Sequence, residues 1–264
     1  MIDYHIHTQL SGDATGDIEA ACKRAIEIGL REISFTEHVD FEPTDPAYGL
    51  FDYDHYLSLI EKARQHYSGQ LIIRFGVEVD YQNRHDSEVR RFLKGKRFDY
   101  VLGAEHYVEG ILMEEHQRLF ARRQARDVYA CYFENVLAVV RTGLFDTLAH
   151  FDVCKRHGVR YSGPFDPEPF DDQIATILRE VVESGMTLEI NTSGLRQSPG
   201  ESYPGSRILG MYRELGGTAI IVGSDAHRTE DVGRNIDDAI ALAKNAGFDN
   251  VATFSNRRKT LLPI

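Results

Sequence analysis

The stretch MIDYHIHTQLSGDATGDIEAACKRAIEIGLREISFTEH, residues 1–38, sets how the rest of the chain is read. Ile2 to His7 reads as a strand, in which His5 and His7 project from the same face at i and i+2. Ile18, Ala21, Ala25 and Ile28 then recur three or four residues apart, the spacing of an amphipathic helix, and Gly29 suits its C-cap. Glu32 to His38 is a second strand, and it too ends on a histidine. The unit is strand, helix, strand.

The same alternation continues to the end of the chain. Further candidate strands are Leu71 to Asp80, Asp99 to His106, Asp146 to Phe151, Thr187 to Thr192 and Thr218 to Ser224, with a weaker eighth at Val251 to Phe254. Between them lie helical patterns such as Tyr56-Leu59-Ile60-Ala63, Val128-Tyr132-Val136-Val139 and Ile236-Ala239-Ile240-Ala243, and Gly69, Gly143 and Gly247 follow as C-caps. Such alternation implies parallel strands with crossover helices, in an open doubly wound sheet or a closed barrel. Arg156 to Phe170, with three prolines and two glycines, reads as a long loop. No linker, low-complexity tract or fixed-period repeat divides the chain, so residues 1–264 are expected to form one domain.

Composition bounds the function. The 264 residues, 42% of them hydrophobic, suffice for one large domain, and an α/β barrel alone uses about 250. Lys and Arg number 30 against 41 Asp and Glu, and the net charge of -11 argues against a general grip on nucleic acid or anionic membrane. An anionic substrate must then be held by local charge. Cys22, Cys131 and Cys154 have no C-x-x-C spacing and fit a reducing cytoplasm as small buried residues. No targeting segment and no run of about 18 apolar residues stands out, so a cytoplasmic location is expected.

Polar residues fall where the strands run out. His5 and His7 end the first strand, His38 ("FTEH") the second, Glu78 ("FGVEVD") the third, His106 ("GAEH") the fourth and His150 ("LAHFD") the fifth. Asp225 and His227 ("VGSDAH") end the seventh, the sixth ("LEINTSG") leads instead to Asn191 and Arg196, and Asp13 lies just beyond the first. A single histidine at a strand end is more often a core or loop residue than a ligand. Six such ends converge, because parallel strands place all their carboxyl ends on one side. Six imidazoles, three carboxylates and no thiolate suit Zn, Mn or Fe, and nine ligands exceed one ion's needs. Two or three divalent ions, with Glu78 as a bridging carboxylate, would leave positions for water and substrate. His55, His66, His85, His116 and His157 fall in polar helical or loop stretches and are read as ordinary.

The ordered motifs "HIH", "TEH", "GVEVD", "GAEHY", "AHFD" and "GSDAH" resemble the polymerase and histidinol phosphatase (PHP) family of metal-dependent phosphoesterases. The resemblance implies a distorted (β/α)7 TIM-like barrel, which agrees with seven good strands and leaves the eighth outside the count. It implies one metal held by His5, His7, Glu78 and Asp225, a second by Glu78, His106 and His150, and a third by Asp13, His38 and His227. Asp13 stands where the family often has histidine. "FDYDHYLSLIEKAR", "AHFDVCKRHG" and "EINTSGLRQSPGESYPG" are most similar to the histidinol-phosphate phosphatases of histidine biosynthesis within that family. The expected chemistry is in-line attack on phosphorus by a metal-bridging hydroxide, with Glu78, Asp225 and His227 in the catalytic centre.

Arg196 and Arg156 are the expected contacts to the substrate phosphate, since a guanidinium matches phosphate bidentately; Lys155 and Arg160 stand nearby as substitutes. Three functions compete. A small-molecule phosphomonoesterase preferring L-histidinol phosphate fits the acidic chain. A phosphoesterase of nucleotides, nucleic-acid ends or phosphotyrosine shares the metal motifs, but the nucleic-acid form calls for a basic stripe or an appended module. A noncatalytic metal-stabilised scaffold conflicts with the surplus of ligands, since structural sites are usually closed by four.

Overall fold

The computed structural model describes residues 1–121 and 123–264. Seven strands run parallel in sequential order: β1 (Ile2–Ile6), β2 (Glu32–Val39), β3 (Ile72–Asp80), β4 (Tyr100–Ala104), β5 (Thr147–Leu148), β6 (Thr187–Asn191) and β7 (Ile220–Gly223). Helices α1 (Ile18–Glu27), α2 (Tyr53–His66), α3 (Asp86–Leu93), α4 (His116–Phe120), α5 (Ala125–Arg141), α6 (Lys155–Ser162), α7 (Asp171–Ser184), α8 (Ser206–Glu214) and α9 (Ile236–Asn245) lie between and after them. The expected apolar stripes face inward; Val128, Tyr132, Val136 and Val139 of α5, for example, are all buried. Asp17 and Asp52 cap α1 and α2 by accepting backbone N–H bonds from Ala20 and His55. Among the described residues, no helix is long and apolar enough to cross a membrane.

The ring of strands is a distorted (β/α)7 TIM-like barrel. Between β1 and β7 regular pairing narrows to one parallel bridge, Ile6 with Ala226, carried by His7 N–H to Ala226 O at 2.9 Å and Ala226 N–H to His5 O at 3.3 Å. The buried carboxylate of Asp3 reinforces this seam. It accepts from Ser224 N–H at 2.8 Å, Ser224 Oγ at 2.5 Å and Gly233 N–H at 2.8 Å, tying the first strand to the last.

The weak eighth strand is real, and its role is to close the floor. β8 (Asn250–Ser255) pairs with β7 at Val251 and Ile220, and turns back through Asn256 and Arg257 into antiparallel β9 (Arg258–Pro263). Phe254 N–H donates to Tyr4 Oη at 2.9 Å, and Tyr100 lies against both rings, with centroids 5.2 Å from Tyr4 and 5.1 Å from Phe254. At the turn, Asn256 and Arg257 bond to Asp99, and Arg257 pairs with Asp146 at 2.9 Å. These contacts all lie at the amino-terminal ends of the strands, which leaves the opposite end open.

Two expectations are corrected. Arg156 to Phe170 is not one long loop: α6 occupies its first half and ends at Gly163, whose φ of 76° stops the helix. The sequence KRHGVRYS has too few apolar residues to show a helical stripe, so periodicity missed it. The fifth strand is also shorter than Asp146 to Phe151. Its ladder stops at Leu148 because the chain turns at His150, whose φ is 20° and whose N–H is captured by Glu189 Oε2 at 2.7 Å.

The seam yields a test. Asp3→Ala strands several buried donors at about 1–3 kcal/mol each, so unfolding free energy should fall by roughly 3 kcal/mol or more. Urea titration followed by circular dichroism measures it; a loss under about 1 kcal/mol would mean the seam does not depend on Asp3.

Candidate metal centre

All nine residues singled out at the strand ends meet above the carboxyl ends of the barrel. Glu78, fully buried on β3, stands at their centre. Its Oε1 lies 2.8 Å from His150 Nε2 and 3.8 Å from His106 Nε2. Its Oε2 lies 3.3 Å from His5 Nε2, 3.3 Å from His7 Nε2 and 3.0 Å from His38 Nδ1. Asp225 Oδ1 is 3.7 Å from His5 Nε2, 3.6 Å from His7 Nε2 and 3.4 Å from His227 Nδ1. Asp13, half-exposed on the loop after β1, reaches His227 Nε2 at 3.2 Å and His38 Nε2 at 3.5 Å.

Three subsets have donor atoms close enough to share an ion: His5, His7 and Asp225; Glu78, His106 and His150; and His7, His38 and His227. The third differs from the expected trio. It adds His7, whose ring stacks on His38 at 4.2 Å and lies 4.5 Å from His227, beside the two histidines that Asp13 also reaches.

The donors fit cations by their chemistry. His5 Nδ1 donates to Glu189 Oε1 at 2.7 Å, and His7 Nδ1 faces Ser11 Oγ at 3.1 Å. Ser11 spends its own proton on Glu37 Oε2 at 2.6 Å, so His7 is the donor in that pair. Both histidines thus turn Nε2 lone pairs inward, and these stand 3.0 Å apart. Glu78 Oε2 is buried without a well-formed hydrogen bond despite three nearby imidazole nitrogens. Such a cluster requires positive charge inside it, a proton or a metal ion.

Titration follows the same logic. Burial opposes charge on His5, yet Glu189, Glu78 and Asp225 together hold its pKa well above the usual value. His38 is raised likewise against burial by Glu78 and Asp13, and His106 is pushed up to about 10 by Asp80 and Glu78. His7 goes the other way, to about 3, through burial and the neighbouring His38 and His227. Glu78 and Asp225 fall below the ordinary carboxylate range, since the imidazoles, His5 first, outweigh burial.

Residues that the strand-end pattern passed over hold this cluster in place. Glu189 on β6 binds His5 Nδ1 through Oε1, while Oε2 takes the His150 N–H at 2.7 Å and Asn191 Nδ2 at 3.2 Å. The strand without a direct ligand therefore orients two ligands, His150 just past the adjacent β5 and His5 on β1, beyond β7. Gly223 makes room for this pair: a Cβ there would meet Glu189 Oε1, and His5 Cβ at 2.5 Å. Asp80 similarly accepts the His106 N–H at 2.9 Å. The signal for Glu189 was present, as a carboxylate between Leu188 and Ile190 in a fully buried strand.

The cluster forms the floor of a cavity of about 680 Å³, which Arg156, Arg196 and Arg228 also line. Arg196 is anchored by Ser224 O at 2.7 Å and Thr192 O at 3.3 Å, with Asp231 at 3.5 Å. Arg156 is half-exposed and 3.4 Å from Glu114. Arg228 has no carboxylate partner among the described residues and went unnoticed in the sequence. Of the two substitutes, Lys155 is corrected outright: it is fully buried, bonded to Asp152 at 2.9 Å, Glu201 at 2.9 Å and Ser202 O at 3.0 Å. Arg160 lies against His116 on α4 at 3.4 Å.

The sequence matches the PHP domain over residues 3–193. The chain belongs to the PHP-domain family. It is 31% identical to the probable histidinol-phosphatase of Deinococcus radiodurans, with 98% of each chain covered. It is 28% identical to the histidinol-phosphatase of Lactococcus lactis, over 97% of this chain and 95% of that one. Its fold superposes with a TM-score of 0.88, at 26% identity and 98% coverage of both chains, on the crystal structure of histidinol phosphate phosphatase from Lactococcus lactis in complex with zinc, L-histidinol and phosphate.

Glu189→Gln tests the supporting carboxylate. Loss of such a partner to a ligating histidine typically costs about 10- to 100-fold in metal affinity. Zinc affinity measured by competition with a chromophoric chelator should fall by that factor while the far-ultraviolet circular dichroism is retained. Wild-type affinity would show that His5 needs no carboxylate to orient it.

Proposed function

We propose that this chain is a metal-dependent phosphomonoesterase that hydrolyses L-histidinol phosphate to L-histidinol and inorganic phosphate. The observation that carries the reading is the nine-residue donor cluster opening directly into a cavity rimmed by arginines. Relatives named as histidinol-phosphatases along nearly the whole chain support the choice of substrate. The working unit is the whole chain, 1–264, because Asp225, His227 and the floor hairpin lie beyond the matched 3–193.

His5, His7, Glu78 and Asp225 would hold one divalent ion, Glu78, His106 and His150 a second, and Asp13, His38 and His227, with His7 beside them, a third. Zinc, manganese and iron all suit this set. When bound, such ions supply Lewis acidity, which lowers the pKa of water and offsets charge on the phosphoryl oxygens.

The chain's own residues do the rest. Glu189, Asp80 and Ser11 orient the imidazoles so that their lone pairs face the centre. Asn191 and Ser193 donate to Asp225 Oδ2 at 3.2 and 3.1 Å, which turns Oδ1 toward the histidines. Arg196 is presented on a short helical turn after β6, its guanidinium fixed by backbone carbonyls before substrate arrives. A guanidinium held in that way loses little freedom on taking a phosphate oxygen.

Phosphate release from metal-reconstituted protein across histidinol phosphate, phosphotyrosine, nucleotides and single-stranded DNA tests the reading. Histidinol phosphate should give the highest kcat/KM, and chelation should abolish turnover until Zn, Mn or Fe is restored. Arg196→Ala should lower kcat/KM by about ten- to a hundredfold. A preference for the oligonucleotide, or full activity in demetallated protein, would contradict the reading.

A further inference from the structure

Arg196 lies on a turn that rests on another stretch of the chain. Gly194, two residues before it, packs so closely on residues 201–203 that a Cβ there would meet Glu201 O at 2.1 Å and the Tyr203 ring at 3.0 Å. Gln197, one residue after it, accepts from Tyr203 Oη at 2.7 Å. Arg196 is thus bracketed by two contacts with one platform. Tyr203 in turn exchanges backbone bonds of 2.8 and 2.9 Å with Asn191 at the end of β6.

Lys155 ties that platform to the metal centre. It is the one fully buried lysine among the described residues. Its Nζ donates to Glu201 Oε1 at 2.9 Å, Ser202 O at 3.0 Å and Asp152 Oδ2 at 2.9 Å, and lies 5.3 Å from the centroid of the Tyr203 ring. Three N–H groups therefore meet three oxygen acceptors, two of them on the platform. The third, on Asp152, belongs to the turn that leaves His150, where Val153 N–H bonds back to His150 O at 2.9 Å. One side chain joins the turn of a metal ligand to the support of Arg196.

A buried ammonium is a poor device for stability alone, since apolar side chains of similar volume often serve as well or better. What it adds is geometry: a fully satisfied polar network fixes one arrangement of its members, whereas apolar packing tolerates small slides. The bond from Arg196 to Thr192 O does not do this, because Thr192 immediately precedes the same turn and travels with it.

We infer that Lys155 is a positioning residue for phosphate binding: through residues 201–203 it sets where Arg196 stands relative to the metal centre. This role rests on the phosphomonoesterase reading and deepens it, since Lys155 is enclosed and acts on the substrate only through the arginine.

The test uses zinc-loaded full-length protein as the wild type, Lys155→Met, Tyr203→Phe, Arg196→Ala and the double variant Lys155→Met/Arg196→Ala. Calorimetric titration with inorganic phosphate gives the affinity of the site, and kcat and KM on L-histidinol phosphate give its use in turnover. Phosphate affinity should fall about 10-fold in Lys155→Met and about threefold in Tyr203→Phe, which removes only the hydroxyl bonded to Gln197. KM should rise by similar factors, with zinc content as in the wild type. In the Arg196→Ala background, Lys155→Met should cause no further loss of phosphate affinity. A structural role alone would lower the unfolding temperature and leave phosphate affinity and KM at their wild-type values, which overturns the inference. Loss of zinc in Lys155→Met, or an undiminished effect of that substitution in the absence of Arg196, overturns it as well. If Lys155→Met does not fold, Tyr203→Phe decides: unchanged phosphate affinity there sinks the inference. Conversely, a protein that cleaves no phosphomonoester yet loses phosphate affinity in these variants would sustain the role of Lys155 and remove the phosphatase reading.

Discussion

One buried carboxylate organises the molecule's upper half. Glu78 sits within 4 Å of five imidazoles, offering Oε1 to His106 and His150 and Oε2 to His5, His7 and His38. Among the described residues no lysine or arginine pairs with Glu78; only imidazoles face it. The centre therefore calls for protons or metal ions within it, and its carboxylates hold the pKa values of His5, His38 and His106 above the usual imidazole range against the effect of burial. A protein that keeps so many lone pairs converging is built to exchange those protons for cations.

The barrel explains how such a cluster can be assembled from distant parts of the chain. Parallel strands deliver their last residues to one face, and every crossover helix returns the chain to begin the next strand at the other face. Apolar and aromatic packing, Tyr4 with Tyr100 and Phe254, is concentrated at the amino-terminal end, while the carboxyl ends carry the polar residues. Two of the strained backbone positions fall in the same place: Asp225 has a φ of 52° and His150 a φ of 20°, both turning a side chain inward where a strand would have carried it on. The Glu189 bond to the His150 N–H holds one of these turns.

Much of this was legible in the sequence, for a physical reason. Direct ligands must lie at strand ends, and a histidine or carboxylate breaking off an apolar run is visible without coordinates. His38, Glu78, His106 and His150 were found in that way. The supporting groups were less visible because their position follows from cross-strand neighbours. Glu189 reads only as a polar residue within a strand until His5 and His150 are seen on either side of it. Lys155 shows the reverse error: next to a ligand-bearing turn it looked available to a phosphate, yet Asp152 and Glu201 occupy its charge completely. Short α6 carries no apolar stripe and ends on a glycine, so periodicity did not show it, and the two-residue β5 was mis-sized because a tertiary bond, not periodicity, ends it.

On this reading Glu78 is shared between ion sites, and the whole centre depends on that sharing. Metal content per chain, measured by plasma emission after zinc loading and exhaustive dialysis, tests this most directly when the wild type is compared with Glu78→Gln. The wild type should retain two or three equivalents, and the variant should lose the two ions that share this carboxylate, keeping at most one. A variant that retains the wild-type number of ions would contradict the claim.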